Sequence, residues 1–178
     1  MILDEEKTRL DAVLAAAREA MTVARTAPKT RGRDNLVIKL ADGEDLERIA
    51  AAMDEETARN PEKRASFARD AKNVRASQAV VLVGAKLAPI GLDCGWCGFP
   101  NCAEKGGNPA APCAFNVMDL GIAIGSVGSL LGRKHVDNRV MFSIGVAAMA
   151  LKLFAPEVTT AIGVPLSVSG KSPYFDRK

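Results

Sequence analysis

Residues Gln78-Ala-Val-Val-Leu-Val-Gly84 form an unbroken apolar run bounded by polar residues. A strand that is apolar at every position has no face to offer to water, so it must be covered on both sides. This predicts a central strand with layers of helix above and below it. The flanking segments supply them. Asp4 to Ala27 reads as a helix, with Leu10, Val13, Leu14, Ala17, Met21 and Ala24 at three- and four-residue steps. Asn35 to Ala41 reads as a strand, Asp42-Gly43 as a turn, and Glu44 to Arg59 as a helix. Asn60 is a candidate cap for a further helix that opens on Pro61 and runs to about Arg75. Beyond the central strand the expected order is a loop, a helix from Pro112 to about Leu131, a second helix from about Asn138 to Leu153, and a strand from Thr159 to Val168. The expected fold is an α/β (α+β) sandwich, a single domain over residues 1–178. Three strands make a thin sheet, so a fourth is expected from the tail or from within the loop.

That loop, residues 91–113, holds all four cysteines of the chain: Cys94, Cys97, Cys102 and Cys113. Thiols gathered in one Gly- and Pro-rich segment suit a metal or cluster better than disulfides. The intervals are two, four and ten residues. Structural zinc sites usually pair two tight knuckles. Here only Cys94 and Cys97 form one, and that asymmetry favours a 4Fe–4S cluster, with structural zinc as the competing reading. Gly95 and Gly98 follow the first two ligands and permit tight turns. Trp96, between two ligands, is expected to be buried beside the cluster.

Composition narrows the function. The net charge is +3, from 24 basic and 21 acidic residues, and aromatics are 4%. Neither a basic patch nor a stacking platform for nucleic acid is indicated. The apolar run Val117 to Leu131 is short for a bilayer, which needs roughly 20 residues, and no apolar signal segment follows Met1. A cytoplasmic protein without a membrane partner is expected. The sole histidine, His135, lies in a polar turn and reads as solvated. The basic loop residues Lys29, Arg31 and Arg33 are candidates either for a solvated surface or for a phosphate site. Gly121, Gly125 and Gly128 line one helix, and suggest close approach by a cofactor or a second subunit.

Two resemblances bear on function. Cys94-Gly-Trp-Cys97-Gly-Phe-Pro-Asn-Cys102 resembles the signature of small 4Fe–4S domains in corrinoid iron–sulfur proteins and Rnf-type electron-transport subunits. Pro112 to Gly125, Val136 to Met141 and Pro165 to Lys171 resemble an uncharacterised family of ferredoxin-domain proteins from anaerobic prokaryotes. This implies one-electron transfer with a redox partner protein.

The basic segment Arg25 to Asn35, the helix around Asp119 to Gly125 and the strand ending at Gly163-Val-Pro165 are similar to flavin-dependent nitroreductases. That likeness implies a nitroreductase-like scaffold with an inserted four-cysteine iron–sulfur loop. It also implies FMN, an oxidoreductase activity and a homo-oligomer, at least a dimer. By match, Arg25, Lys29, Arg31, Asn35, Ser169 and Lys171 would be the flavin-binding residues. The basic Arg-x-Ser-x-Arg entry strand of that family is missing here. A cluster-only electron carrier without a substrate is the alternative.

Overall fold

The structure is a computed structural model that describes residues 2–86, 88–108 and 110–175. Pro109 of the cysteine loop and residues 176–178 of the tail lie outside the described residues.

Helix α1 (Glu5–Thr26) starts where Asp4 accepts a hydrogen bond from the Glu6 amide, and Glu5 and Glu6 place negative charge in its first turn. Strand β1 (Leu36–Asp42) leads through Gly43 into α2 (Glu44–Arg59). Helix α3 (Pro61–Arg75) opens as expected, with the Asn60 carboxamide accepting from the Lys63 amide and Pro61 in the first turn. Strand β2 (Ala79–Lys86) follows, then the cysteine loop with the short helix α4 (Cys102–Gly106). Helix α5 (Ala114–Arg133), strand β3 (Asp137–Asn138), helix α6 (Phe142–Ala150) and strand β4 (Val158–Ser167) complete the order.

The sheet runs β1-β2-β4-β3, every pairing antiparallel, so the architecture is α+β. Strand β2 is interior, as its unbroken apolar run requires. Ala79, Val81, Val83 and Ala85 face the core shared with α1 and α5. Val80 and Leu82 face the core built by α2, α3 and α6. Each fully buried Val or Leu here contributes about 1.5–3 kcal/mol.

Two expectations are corrected. The fourth strand comes neither from the tail nor from the cysteine loop. It is β3, where Asp137 and Asn138 pair with Ser167 and Leu166 on the open edge of β4. The last long helix therefore begins at Phe142 rather than near Asn138, because the backbone of residues 137–141 is spent on β4, including a bridge from Met141 to Gly163.

Helix α5 is also longer than its apolar run. Among the described residues it is the one helix long and apolar enough, by length and composition, to cross a membrane. Leu120, Ala123, Ile124, Val127 and Leu131 are buried in the core, whereas Val117, Met118 and Ile122 are exposed. Helix α6 lies directly on β4: a Cβ on Gly145 would fall 1.8 Å from the Ala161 carbonyl oxygen, so only glycine fits.

Candidate metal centre

Pairing Leu36 with Ala85 puts the start of β1 at the same end of the sheet as the end of β2. The basic loop before β1 and the cysteine loop after β2 are therefore neighbours. Five side chains lock them together. The Arg31 and Arg33 guanidinium groups donate to the carbonyls of Gly91 (3.1 Å) and Ile90 (3.0 Å). Asn116 of α5 donates to the carbonyls of Lys86 (3.0 Å) and Ala88 (2.7 Å) and accepts from Asn35 at 3.1 Å. Asp119, one turn on, is buried and accepts from the Thr30 amide and hydroxyl at 3.1 and 2.9 Å.

Within the cysteine loop the chain turns sharply. Gly95 and Gly98 have φ of 73° and 84°, and the Gly98 amide donates to the Gly95 carbonyl at 2.9 Å. This left-handed backbone suits glycine. Asp93 also has a positive φ, 47°, which Asp tolerates better than most residues. Asp93 and Cys102 clasp each other: the Cys102 amide donates to Asp93 Oδ1 at 2.6 Å, and the Asp93 amide donates to Cys102 Sγ at 3.4 Å. Asn101 caps α4, and its carboxamide also donates to Glu104. Cys113 is the N-cap of α5, buried, with no side-chain capping bond of its own.

All four cysteines are unbridged and line one cavity. Ile90, Phe99 and Phe115 supply apolar wall; Asp93 and Lys105 supply charge. Yet among the described residues no three His, Cys, Asp or Glu side chains converge closely enough to hold a single metal ion. Tetrahedral zinc, with Zn–S at about 2.3 Å, needs sulfurs roughly 3.8 Å apart. A four-iron core sits between its thiolates and holds them further apart, and four thiols on one cavity are the donor chemistry such a core takes.

Trp96 corrects its expectation. It is 66% exposed and stacks on Phe115, centroids 5.1 Å apart and planes 12° from parallel. The ring caps the loop from outside because Phe115, on α5, takes the inner position.

The remaining candidates separate into two groups. Arg25 pairs with Asp34 at 2.5 Å and donates to the Leu36 carbonyl. Lys29 donates to the carbonyls of Ala24, Arg25 and Ala27, closing the C-terminus of α1. Burial would raise the Asp34 pKa, but the hydrogen bonds from Arg25 and the Leu36 amide, with the charges of Arg25 and Lys29, outweigh it and hold that carboxyl below its usual range. Ser169 and Lys171 follow β4, whose end lies beside Ala79 at the opposite end of the sheet. The Ser169 hydroxyl donates to the Lys171 carbonyl. About 20 Å of strand separates Ser169 and Lys171 from Asn35, at ~3.4 Å per residue. One phosphate cannot bridge them within a single chain. His135 is exposed, in a left-handed turn that ends α5.

The profile of a family described as uncharacterised proteins containing a ferredoxin domain matches residues 109–177. An uncharacterised protein of Archaeoglobus fulgidus is 45% identical over 185 residues, covering 99% of this chain and 98% of the relative. The chain belongs to the ferredoxin-domain family.

Solved structures place the fold of this family member among nitroreductases. An FMN-bound nitroreductase from Desulfitobacterium hafniense matches with a TM-score of 0.60 and 14% identity, covering 96% of this chain and 80% of that one. The FMN-dependent nitroreductase NfnB of Mycobacterium smegmatis, in complex with NADPH, matches at 0.59 and 13%, covering 88% and 78%. At these identities the likeness shows the fold alone. Sequence reasoning missed Asp93, Asn116, Asp119 and Lys105. The sequence held a signal for Asp93, an Asp directly before the first cysteine; nothing local marked the other three.

Proposed function

We propose that this ferredoxin-domain protein is a cytoplasmic electron carrier with one 4Fe–4S cluster bound by Cys94, Cys97, Cys102 and Cys113. The observation that carries this is the cavity itself: every cysteine of the chain lines it. The family's ferredoxin domain and the nitroreductase fold both support a redox role. When bound, the cluster supplies one-electron transfer, with a potential set by net charge, burial and hydrogen bonds to sulfur. The chain's own part is positioning. Arg31, Arg33 and Asn116 fix the approach of the loop to the sheet. The Asp93 amide donates to one ligand sulfur. Trp96, stacked on Phe115, presents an exposed aromatic face beside the cysteines, where a redox partner protein would dock.

A flavin is the second reading. The fold likeness to FMN-bound nitroreductases favours it, as does an open groove between α1 and α5, lined by Val23, Pro28, Ile122, Gly125 and Ser129. An added Cβ at Gly121 or Gly125 would meet no atom within 4 Å. The residues of one chain do not by themselves fit the FMN phosphate. Arg25, Lys29, Arg31 and Asn35 are engaged with protein atoms, and Ser169 and Lys171 lie at the far end of the sheet. Phosphate contacts would have to come from a second copy packed on the α5 face, as a homodimer.

Anaerobic purification with iron, acid-labile sulfide, zinc and flavin analysis tests both readings. Iron with sulfide in near-equal amount, and visible absorption bleached by dithionite, is the expected result. One zinc per chain without sulfide refutes the cluster, and absence of FMN from material released by boiling refutes the flavin.

A further inference from the structure

Lys105 is 2% exposed, and it lies in the wall of the cysteine cavity. Among the described residues its ammonium makes one long hydrogen bond, to the Asn108 carbonyl at 3.4 Å. None of its interactions among the described residues is an ion pair. The acidic groups nearest in sequence are otherwise engaged: Asp93 accepts from the Cys102 amide, and Glu104 accepts from the Asn101 carboxamide. An ammonium has three donors and is strongly hydrated in water. Buried with one weak acceptor and no ion pair among the described residues, it is destabilising by itself. Its position becomes more favourable if further negative charge fills the space beside it.

We propose that Lys105 is the built-in counter-charge of the cluster. The proposal rests on the cluster reading above. An iron–sulfide core bound by four thiolates is a net anion, and gaining one electron makes it more negative. A fixed positive charge in a low-dielectric wall stabilises the reduced state more than the oxidised one. Lys105 therefore sets the potential upward and makes the cluster easier to reduce. The step is a bare electron transfer: one electron passes from an external reductant, dithionite in the test, to the cluster. No bond to the protein forms or breaks.

The test compares wild type, Lys105→Met and Lys105→Arg, each purified anaerobically as the full chain. Iron and acid-labile sulfide are measured first. The midpoint potential is then read by dithionite titration followed by electron paramagnetic resonance. Met keeps the length and apolar stem of the lysine and removes the charge; Arg keeps the charge. Lys105→Met is expected to lower the ratio of reduced to oxidised cluster at fixed ambient potential by at least tenfold, about 59 mV for one electron. Lys105→Arg is expected to stay close to wild type.

A Lys105→Met protein with the wild-type midpoint overturns the proposal. If Lys105→Met fails to retain iron and sulfide while Lys105→Arg retains both, the charge requirement stands. If both variants lose the cluster alike, charge is not the reason and the proposal fails. Wild-type protein without labile sulfide refutes the cluster itself, and the role of Lys105 falls with it.

Discussion

Asp93 and Cys102 are joined twice, the amide of each donating to the side chain of the other, at 2.6 Å to the carboxylate and 3.4 Å to the sulfur. The pair closes a ten-residue segment that also carries Cys94 and Cys97. Breaking it should loosen three ligands at once. Asp93→Ala is expected to lower iron and sulfide retention on gel filtration. Asp93→Asn keeps an acceptor and tolerates the positive φ, and is expected to hold the cluster. Equal retention by both variants would remove the clasp from the account.

Cys97→Ala removes one of the four proposed ligands, from the tight pair. Iron bound per chain is expected to fall to a small fraction of wild type, with the visible absorption lost. The fold should survive, because two cores on either side of the sheet do not depend on the loop. Unchanged iron content would show that the ligand set is misassigned.

Asp119 couples the basic loop to α5 across 89 residues of sequence. Asp119→Ala strands the Thr30 amide and hydroxyl, and is expected to destabilise the chain by about 1–3 kcal/mol. Urea unfolding followed by circular dichroism measures this. A loss within error of zero would mean that the loop is held by Arg31, Arg33 and Asn116 alone.

Two glycines make opposite predictions. Gly145→Ala drives a methyl group into the Ala161 carbonyl and is expected to cost about 3 kcal/mol. Gly125→Ala meets no atom within 4 Å and should stabilise the isolated chain by about 1 kcal/mol. If a second copy covers that face, Gly125→Leu gives a folded monomer by light scattering where wild type is a dimer. A Gly125→Leu dimer as tight as wild type would place the interface elsewhere.

The Arg25–Asp34 pair predicts an acid limb in stability. The folded-state pKa of Asp34 is depressed, so its contribution is fully present above the unfolded value of about 3.9 and is lost as pH falls through the folded value. Both side chains are partly exposed, so the effect belongs to the surface range of about 0–1 kcal/mol. The stability difference between wild type and Asp34→Asn should be constant near neutral pH and shrink below about pH 4. A difference that does not change in acid would contradict the assignment.

Much of the frame was legible locally. The apolar run of β2 required two covering layers, and helices fill both. The starts of α1 and α3 were marked by Asp4 and by Asn60-Pro61, and each cap makes its bond. Capping and periodicity are properties of neighbouring residues, so they can be read without a fold.

The candidate site was legible only in its cysteines. That four cysteines share one segment is written in the chain. That the segment is pinned by Arg31, Arg33 and Asn116 is not, because their partners are carbonyls 57, 60, 28 and 30 residues away. The same is true of β3, two residues long, which exists because β4 left an edge unpaired. Sequence by itself determined that the central strand must be buried and that four thiols share one segment. Tertiary structure alone decided which charges are consumed in holding the loop, which aromatic ring faces water, and which lysine is left in the cavity wall. Hydrogen bonds and desolvation depend on groups that only folding brings together.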